Sequence, residues 1–468
     1  MRLVTLNPHD ALPLTDQITD DLRKRIVQRA LKPGTRLPSI RSFARAHGVS
    51  TFTVVQAYDR LVKEGFLVSR QGSGFYVPKR SGTKHARERI NLENAEDTLW
   101  ILRSTLQDRR SVLKVGAGWL PASWLDGGMI RNGLRALAHT AEPFLLEYGE
   151  PHGYLPLREQ LVQKLIGLGI STQPRQLITT HGVSQAIDLI GRYFVRSGDT
   201  VLVDDPGYYA TFGYLKTLGA TLVGVPRTAQ GPDVAALEKI IEDQRPKLFF
   251  TMTVLHNPTG TSTNQATAHR LLQLAEKYNF VIVENDTYGD FQPNPITRLA
   301  TLDQLKQVIY ISGFSKTVSP DLRVGYIACR EDLAEDLVDL KLLTGLTTSQ
   351  LNEGLIFDIL ASGQYGKHLQ RLQERLERSR EFTIKKLENC GLQTYAVPEG
   401  GMFVLARFGA SSNAAEIASL AAAKGIILGP GNLFRPHHEP SPWLRFNVAF
   451  CDNPSIYRFL NSVKMRFK

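Results

Sequence analysis

Cysteine is scarce in this sequence of 468 residues, which contains Cys329, Cys390 and Cys451 and no others. These three lie far apart, and none belongs to a CxxC pair or has a nearby histidine, so the sequence predicts neither a disulfide framework nor a zinc site. The run His-His-Glu at 437–439 contains potential metal ligands, but adjacent residues in a proline-flanked loop face apart. We therefore expect three buried thiols and no metal centre.

Long apolar runs are also absent. The N-terminal sequence MRLVTLNPHDALPL lacks the basic region and the apolar run of about seven or more residues that a secretory signal needs. No uninterrupted apolar stretch approaches the roughly eighteen residues of a membrane-spanning helix. With 42% hydrophobic and 22% charged residues, the composition is ordinary for a globular protein. We expect a soluble, cytoplasmic protein whose length favours two or three domains.

Positive charge is unevenly distributed along the chain. The formal net charge is +11, and residues 1–80 contain 14 lysines and arginines against 6 aspartates and glutamates. A large part of the positive excess therefore lies in the first sixth of the chain. This asymmetry favours a nucleic-acid partner for the N-terminal part.

The first eighty residues carry three helical patterns. Residues 16–31, DQITDDLRKRIVQRAL, are amphipathic and are followed by Lys-Pro-Gly, which ends the helix. A second short helix is expected between the N-cap Ser39 and the terminating Gly48. A third begins after the N-cap Ser50 and has apolar residues at helical spacing over 54–62. A helix, a tight glycine turn and a helix form the helix-turn-helix arrangement.

Two short strand-like runs, FLVSR and GFYVPK, follow and flank the turn QGSG. They predict a hairpin, so that residues 1–78 are expected to form a winged helix-turn-helix domain whose third helix lies in the major groove. The residues expected to contact DNA are Arg41, Ser50, Thr51, Thr53, Gln56 and Ser73. A basic interaction module of the same shape is the alternative that these residues leave open.

Residues 36–77 resemble the DNA-binding domain of GntR-type regulators over its whole length. The LPS start, the GVS turn, the AY pair in the third helix and the GSG of the wing carry the resemblance. The sequence departs from that family at Thr51-Phe52, where an arginine is frequent.

Residues 79–110 begin as a polar, basic stretch and are expected to be a linker. In residues 111–468, apolar strand-like runs alternate with longer helical patterns. The runs begin at residues 177, 200, 247, 280, 307 and 324. Continuous apolar runs separated by helices predict an α/β fold, with a mostly parallel sheet covered by helices on both faces.

Chemically distinctive residues follow these runs, at the edge where open α/β sheets bind ligands. Residues 182–184 open a helix and offer free backbone N–H groups suited to a phosphate. Tyr208, Asn257, the stretch 285–288 and Lys316 follow the next four runs. The sequence therefore predicts one site with an anion cradle, an aromatic ring, hydrogen-bonding groups and a lysine.

From about residue 113 to its end, the chain resembles the fold-type I aminotransferases, which bind pyridoxal 5'-phosphate (PLP). The resemblance implies that Lys316 forms the Schiff base with the cofactor aldehyde and that Arg445 holds a substrate carboxylate. It implies a phosphate site of Gly182, Val183, Ser184, Ser315 and Arg323, and a further contact from Tyr148 of a partner subunit. It implies that Tyr208 stacks on the pyridine ring and that Asn257 and Tyr288 hydrogen-bond its phenolic oxygen.

Two positions depart from the pattern of those enzymes. Relatives with this loop usually carry an aspartate that pairs with the pyridine nitrogen, and the matching position here is Asn285. Either Asn285 or the adjacent Asp286 is expected to face that nitrogen. Gly313 stands where many relatives have a phosphate-binding serine.

The order of the two halves resembles the MocR/GabR subfamily of bacterial transcription regulators. The resemblance implies a homodimer that binds an operator with two half-sites in double-stranded DNA. It also implies that PLP, alone or with an amino acid or amine, is the effector. An active aminotransferase carrying a DNA-binding domain is the main alternative, and a PLP sensor that needs no amino compound is another.

Overall fold

The computed structural model describes residues 6, 12–27, 31, 34–64, 66–70, 73–77, 106, 112–139, 144 and 146–467. The chain divides into two compact units, Met1–Arg89 and Ile90–Lys468, called here the N-terminal unit and the large unit. The predicted linker, 79–110, lies outside the described residues except for Leu106.

The described residues of the N-terminal unit form three helices and a two-stranded hairpin. They are α1 (Leu14–Val27), α2 (Ile40–His47), α3 (Thr51–Lys63), β1 (Val68–Arg70) and β2 (Gly74–Tyr76). The predicted caps are confirmed, because the Ser39 and Ser50 hydroxyls accept hydrogen bonds from the backbone N–H of Ser42 and Thr53. Gly48 ends α2 with φ of 67°, a conformation that favours glycine. Part of the first predicted helix, 28–31, lies beyond the end of α1 and is largely outside the described residues.

One apolar cluster holds this unit together. It joins Ile18 and Leu22 of α1, Phe43 of α2, and Val54 and Leu61 of α3, all fully buried. Burying each such side chain contributes about 1.5–3 kcal/mol. The apolar face of α3 is thus used for folding, which leaves its opposite face free for other contacts.

The large unit is built on an eight-stranded sheet in its described residues. Its strands are β3 (Leu177–His181), β4 (Thr200–Asp205), β5 (Thr221–Thr228), β6 (Gly231–Pro232), β7 (Leu248–Thr251), β8 (Val281–Asn285), β9 (Val308–Gly313) and β10 (Val324–Ala328). The spatial order is β3-β10-β9-β8-β7-β4-β5-β6. All six predicted strands are present, and β5 and the two-residue edge strand β6 were not predicted.

The sheet is mostly parallel, as predicted, but β10 runs antiparallel to both of its neighbours, β3 and β9. The connection between β9 and β10 explains the reversal. It covers only residues 314–323, and a crossover between parallel strands needs about a dozen residues or more, usually with a helix. This short connection contains Lys316.

Helices cover both faces of the sheet. In chain order, the α-helices described with both ends in the large unit are α4 (Gly127–Leu137), α5 (Leu155–Gly167), α6 (Gly182–Phe194), α7 (Tyr209–Thr217), α8 (Val234–Gln244), α9 (Gln265–Tyr278), α10 (Leu299–Asp303), α11 (Glu331–Gly345), α12 (Gln350–Ala361), α13 (Gln364–Asn389), α14 (Ala414–Ala422) and α15 (Pro454–Phe467). Alternate strand residues enter two different cores: Leu202 packs with α5 and α9, whereas Val201 and Val203 pack with α6 and α11. The predicted helix–sheet–helix layering is therefore present.

A second sheet lies near the C-terminus and was not predicted. It is antiparallel and contains β11 (Gln393–Thr394), β12 (Phe403–Arg407), β13 (Gly429–Pro430) and β14 (Leu444–Asn447), in the order β11-β12-β14-β13. Two of its strands have two residues each, too few to show a period in the sequence. This sheet carries Arg445.

The three cysteines are free and buried, as expected from their spacing. Within the described ranges, no helix is long and apolar enough to cross a bilayer. Those ranges also contain no group of three or more histidine, cysteine, aspartate or glutamate side chains able to hold a metal ion.

A buried carboxylate joins three neighbouring strands near their carboxyl ends. Asp204 of β4 accepts hydrogen bonds from Arg227 of β5 at 3.1 Å, and from the Thr251 hydroxyl of β7 and the Met252 N–H at 3.0 Å. The side chains of Asp204 and Arg227 are 3% and 0% exposed. Because both charges are buried away from water, each is stabilised by its pairing with the other.

Replacing Arg227 with methionine should lower the free energy of unfolding of the large unit by about 3–5 kcal/mol, because Asp204 would keep a buried, unpaired charge. Arg270→Met is the control, since its pair with Glu238 is exposed and is worth about 1 kcal/mol or less. Urea unfolding followed by tryptophan fluorescence measures both, because all four tryptophans follow residue 89. Equal losses in the two variants would contradict the prediction.

Candidate functional site

The carboxyl ends of β3, β4, β7, β8 and β9 surround a cavity of about 100 Å³. The cavity is lined by Val183, Ser184, Ile187, Tyr208, Met252, Asn257, Asn285, Thr287, Tyr288, Gly313, Ser315, Lys316 and Arg323. Residues distant in sequence meet here because parallel strands bring their carboxyl ends to one edge.

One end of the cavity is suited to an anion. Arg323 donates hydrogen bonds to the Ser315 hydroxyl and the His181 carbonyl, both at 3.2 Å, and lies 3.5 Å from the Ser184 hydroxyl. Gly182, with φ of 69°, begins α6, and a Cβ there would lie 2.5 Å from the Arg323 guanidinium. A guanidinium and the first N–H groups of a helix attract a phosphate together.

Lys316 lies beside this anion cradle. Its side chain is half-buried, and Nζ is 5.8 Å from the centre of the Tyr288 ring, with no hydrogen-bond partner among the described residues. Burial lowers the pKa of Lys316 to about 8, and the positive charges of Arg445 and Arg323 act in the same direction. A lysine with this pKa is partly neutral near physiological pH, so it can act as a nucleophile.

Hydrogen-bond donors and an aromatic ring line the rest of the cavity. Asn257 is buried, and its Oδ1 accepts from Arg445 Nη1 at 2.6 Å, which leaves the amide N–H groups as donors. Burial raises the pKa of Tyr208 and Tyr288 well above the usual tyrosine value, so both remain protonated at neutral pH. The Tyr288 hydroxyl donates to the Gly118 carbonyl at 3.3 Å.

Arg445, predicted to meet a substrate carboxylate, does not line the cavity. It is 1% exposed, donates to Asn257 and to the Gly116 carbonyl, and lies between the rings of Phe403 and Phe434, each centred 4.6 Å from its guanidinium. Its Nε–H is buried without a partner among the described residues. Arg445 therefore lies behind Asn257, which separates it from the cavity. Both of the oxygen atoms that accept its hydrogen bonds are neutral.

Asn285 is the last residue of β8 and lines the cavity. Its Oδ1 accepts from the backbone N–H of Thr287 at 3.1 Å and from the Thr287 hydroxyl. Because a backbone N–H can only donate, this contact identifies the amide oxygen. The amide N–H groups are then the part of Asn285 available to the cavity.

Asp286, the other residue predicted to face the pyridine nitrogen, does not line the cavity. Asp286 is buried outside the cavity, where its carboxylate accepts from Arg298 Nε at 2.7 Å and from the Tyr310 hydroxyl at 2.6 Å. Successive residues at a strand end point to opposite sides. Glu284 and Asp286 therefore face α10, and Asn285 and Thr287 face the cavity.

Packing against the neighbouring strand explains why residue 313 is a glycine, which the sequence did not reveal. A Cβ at this position would lie 2.9 Å from both Gly325 Cα and the Val324 carbonyl oxygen of the neighbouring strand. These are backbone atoms that cannot move aside, so a serine does not fit here without a shift of β10. The side chains of the anion cradle are therefore those of Ser184, Ser315 and Arg323, without a serine at position 313.

The structure brings most of the predicted cofactor residues together. Those that line the cavity are Val183, Ser184, Tyr208, Asn257, Asn285, Tyr288, Ser315, Lys316 and Arg323. Tyr148 is 83% exposed and lies outside the cavity of its own chain. Ile187, Met252 and Thr287 line the cavity but were missed. The period of two along β8 could have identified Thr287 as a neighbour of Asn285.

The residues predicted to contact DNA lie in the N-terminal unit. Arg41 on α2 and Thr51 and Gln56 on α3 are exposed. The hydroxyls of Ser50 and Thr53 are 2.7 Å apart and take part in the cap of α3. The first two turns of α3 thus present two exposed polar residues and two hydroxyls that already have partners.

The hairpin places Ser73 at its turn. The Ser73 hydroxyl is 2.7 Å from the Tyr76 hydroxyl, and the Arg36 guanidinium lies 6.0 Å from the centre of the Tyr76 ring. These contacts tie the predicted wing residue to the segment that precedes α2.

Both halves of the chain match families of known proteins. Residues 14–77 match the gntR family of bacterial regulatory proteins, and residues 112–463 match aminotransferase class I and II. The HTH-type transcriptional regulator YdfD of Bacillus subtilis, itself uncharacterized, is 26% identical over 98% of this chain and 97% of its own length. The HTH-type transcriptional regulator NorG of Staphylococcus aureus is 25% identical over 92% of this chain and 98% of its own.

Solved structures similar to this one include aminotransferases. Kynurenine aminotransferase of Pyrococcus horikoshii, in complex with PMP, superposes with a TM-score of 0.73, 25% identity, and coverage of 82% of this chain and 96% of its own. The α-aminoadipate aminotransferase LysN of Thermus thermophilus, complexed with N-(5'-phosphopyridoxyl)-L-leucine, has a TM-score of 0.71, 25% identity, and coverage of 78% and 94%. The chain therefore belongs to the aminotransferase class I and II family and carries an N-terminal gntR-family domain, the domain order of the MocR/GabR subfamily that its sequence resembles.

Proposed function

We propose that this regulator is a cytoplasmic homodimer that binds a two-half-site operator and takes PLP, alone or together with an amine or amino acid, as its effector. The position of Lys316 carries the cofactor part of the proposal. Its amine, with a pKa of about 8, stands between an anion cradle and a set of hydrogen-bond donors in one cavity. The basic winged helix-turn-helix supports the DNA part.

The residues around the cavity fit the groups of PLP. Arg323 and the start of α6 suit the phosphate, the Tyr208 ring suits the pyridine face, and the Asn257 N–H groups suit the phenolic oxygen. The Tyr288 hydroxyl can donate to the same oxygen when it exchanges its bond to the Gly118 carbonyl. When bound, PLP supplies an aldehyde that reacts with primary amines and a conjugated ring. Lys316 is the amine of this cavity, and its partly neutral state suits that reaction.

Arg445 supports an amino acid as the second ligand. Its guanidinium is held by two neutral acceptors, the Asn257 amide and the Gly116 carbonyl, and one N–H is unsatisfied. A carboxylate is a stronger acceptor than either. We propose that an amino acid carboxylate replaces one of these contacts. A ligand that binds two arrangements with different affinity shifts their populations, which is what regulation requires.

Asn285 supports the proposal that the protein senses its ligands and does not turn them over rapidly. The part of its side chain available to the cavity donates hydrogen bonds, so it suits a ring nitrogen that carries no proton. A carboxylate would instead favour the protonated ring, which withdraws electrons more strongly and supports carbanion chemistry. We therefore propose that the chain binds its ligands firmly and transaminates slowly.

A homodimer accounts for an exposed segment that precedes α5. Leu146 and Tyr148 are 79% and 83% exposed, although both are large and partly or wholly apolar. We propose that this segment meets the partner subunit, with Tyr148 reaching the partner's phosphate site. Two-fold symmetry would then match the two half-sites of the operator.

Lys316→Ala should abolish the attachment of PLP by borohydride while leaving DNA binding without PLP intact. Lys341→Met is a matched control, because burial also lowers the pKa of Lys341 to about 8 but its Nζ donates to the Pro151 carbonyl, outside the cavity. Peptide mapping of the reduced protein identifies the modified lysine. Attachment that persists in Lys316→Ala, or that disappears in Lys341→Met, would contradict the proposal.

Asn285→Asp should speed single-turnover transamination of an L-amino acid by about ten-fold or more, because a carboxylate favours the protonated ring nitrogen. Asn285→Ala is the control, since it removes the amide without adding a charge. Stopped-flow absorbance of the PLP-loaded protein follows the conversion. A wild-type protein that already turns over an amino donor and a keto acid as fast as the aspartate variant would support the aminotransferase alternative.

Arg41→Ala should weaken binding to every DNA duplex and reduce the slope of log K against log salt concentration by about one, because a phosphate contact releases counterions. Arg175→Ala, an exposed arginine of the large unit, is the control. Fluorescence anisotropy at several salt concentrations gives both slopes. An unchanged slope for Arg41→Ala would remove this arginine from the interface.

A further inference from the structure

Phe52 is exposed at the beginning of α3. Its side chain is 68% exposed, more than any other large apolar side chain in the described part of the N-terminal unit, and it takes no part in the core of that unit. The buried apolar residues of α3, such as Val54 and Leu61, lie on the other face of the helix. Phe52 therefore contributes little to the folding of this unit.

The exposed neighbours of Phe52 on α3 are polar, and Val55, three residues further along, is partly buried. Thr51 and Gln56 are the exposed side chains beside it, and Gln56 is four residues further along the same helix face. Arg41 and Arg45 are exposed on the preceding helix α2. A protein partner would favour a contiguous apolar patch, whereas a single phenyl ring among polar and positively charged residues suits a polyanion with one apolar feature.

The major groove of DNA has that feature. Thymine presents its 5-methyl group there as an apolar contact, and phenylalanine is one of the side chains that meet it. In helix-turn-helix domains the N-terminal residues of the second helix of the motif contact base edges. Phe52 is the second residue of this helix, α3, and the hydroxyls of Ser50 and Thr53 on either side of it are engaged in the cap.

We propose that Phe52 is a specificity-determining residue of the DNA-binding surface and that its ring contacts the 5-methyl group of a thymine in each operator half-site. Gln56, beside it, is placed to pair with a neighbouring adenine, whose N6 and N7 match a carboxamide. The pair would make α3 select A·T base pairs at this position. The inference rests on the DNA-binding role of the N-terminal unit.

The test begins with the full-length wild-type protein, with and without PLP, and selection of bound duplexes from a random library. Each thymine of the selected site is then replaced in turn by deoxyuridine, which keeps the hydrogen-bonding groups and lacks the methyl. Burial of one methyl group corresponds to roughly a four-fold change in affinity. We expect such a loss at one thymine per half-site for the wild type.

Phe52→Ala should bind the thymine and deoxyuridine duplexes equally, while Gln56→Ala should bind more weakly yet keep the preference for thymine. Phe52→Leu, which keeps an apolar side chain, should keep part of the preference. Thermal unfolding by circular dichroism checks that the variants fold. Salt-dependent binding to an unselected duplex separates failure of this assignment from failure of DNA binding as such.

Three results would overturn the proposal. The first is a wild-type protein for which no thymine is sensitive to removal of its methyl group. The second is a Phe52→Ala variant that keeps the preference for thymine, or whose operator affinity is unchanged, in which case Phe52 serves another partner. The third is a wild-type protein that binds DNA but enriches no sequence.

Discussion

The architecture of the cavity depends on the buried carboxylate of Asp204. It holds Arg227, the Thr251 hydroxyl and the Met252 N–H, and so joins the ends of β5, β4 and β7. The imidazole of His256 lies 3.4 Å from the same carboxylate, and burial lowers the pKa of His256 to about 4, so it is neutral there. A charge out of water requires all of these partners.

Two cavity residues gain their positions from this arrangement. Tyr208 follows β4 four residues after Asp204, and Asn257 is adjacent to His256. The aromatic ring and the amide that face the cavity are thus held by a polar cluster that lies behind them. A site assembled from separate strand ends needs such a cluster, because loops alone would leave these side chains free to move.

At the carboxyl end of β8, alternate residues have different roles: some hold a helix in place and others face the cavity. Glu284 and Asp286 both turn toward α10, where Glu284 accepts from the Leu299 and Ala300 N–H groups at 2.8 Å and Asp286 pairs with Arg298. Burial raises the pKa of Glu284 to about 6. The acidic residues of this loop therefore hold a helix in place, and the uncharged Asn285 is left to the cavity.

Much of the site could be predicted from the sequence because short motifs at strand ends have local causes. The Ser39 and Ser50 caps, the glycine that opens α6, and the placement of Tyr208, Asn257 and Lys316 after apolar runs follow from local geometry and from the rule that ligands bind at the carboxyl edge of a sheet. These features depend on few neighbours. The exposed Phe52 is visible in the sequence as an apolar residue off the core face of α3.

The rest depended on contacts between distant segments. The antiparallel direction of β10, the C-terminal sheet and the placement of Arg445 behind Asn257 join distant residues, such as Arg445 and Gly116, which are 329 positions apart. No local pattern encodes such a pairing. The sequence by itself determined two domains, the class of each fold and the residues at the strand ends. The tertiary structure decided which neighbouring side chain faces the cavity, because that choice is made by the partners on either side of the strand.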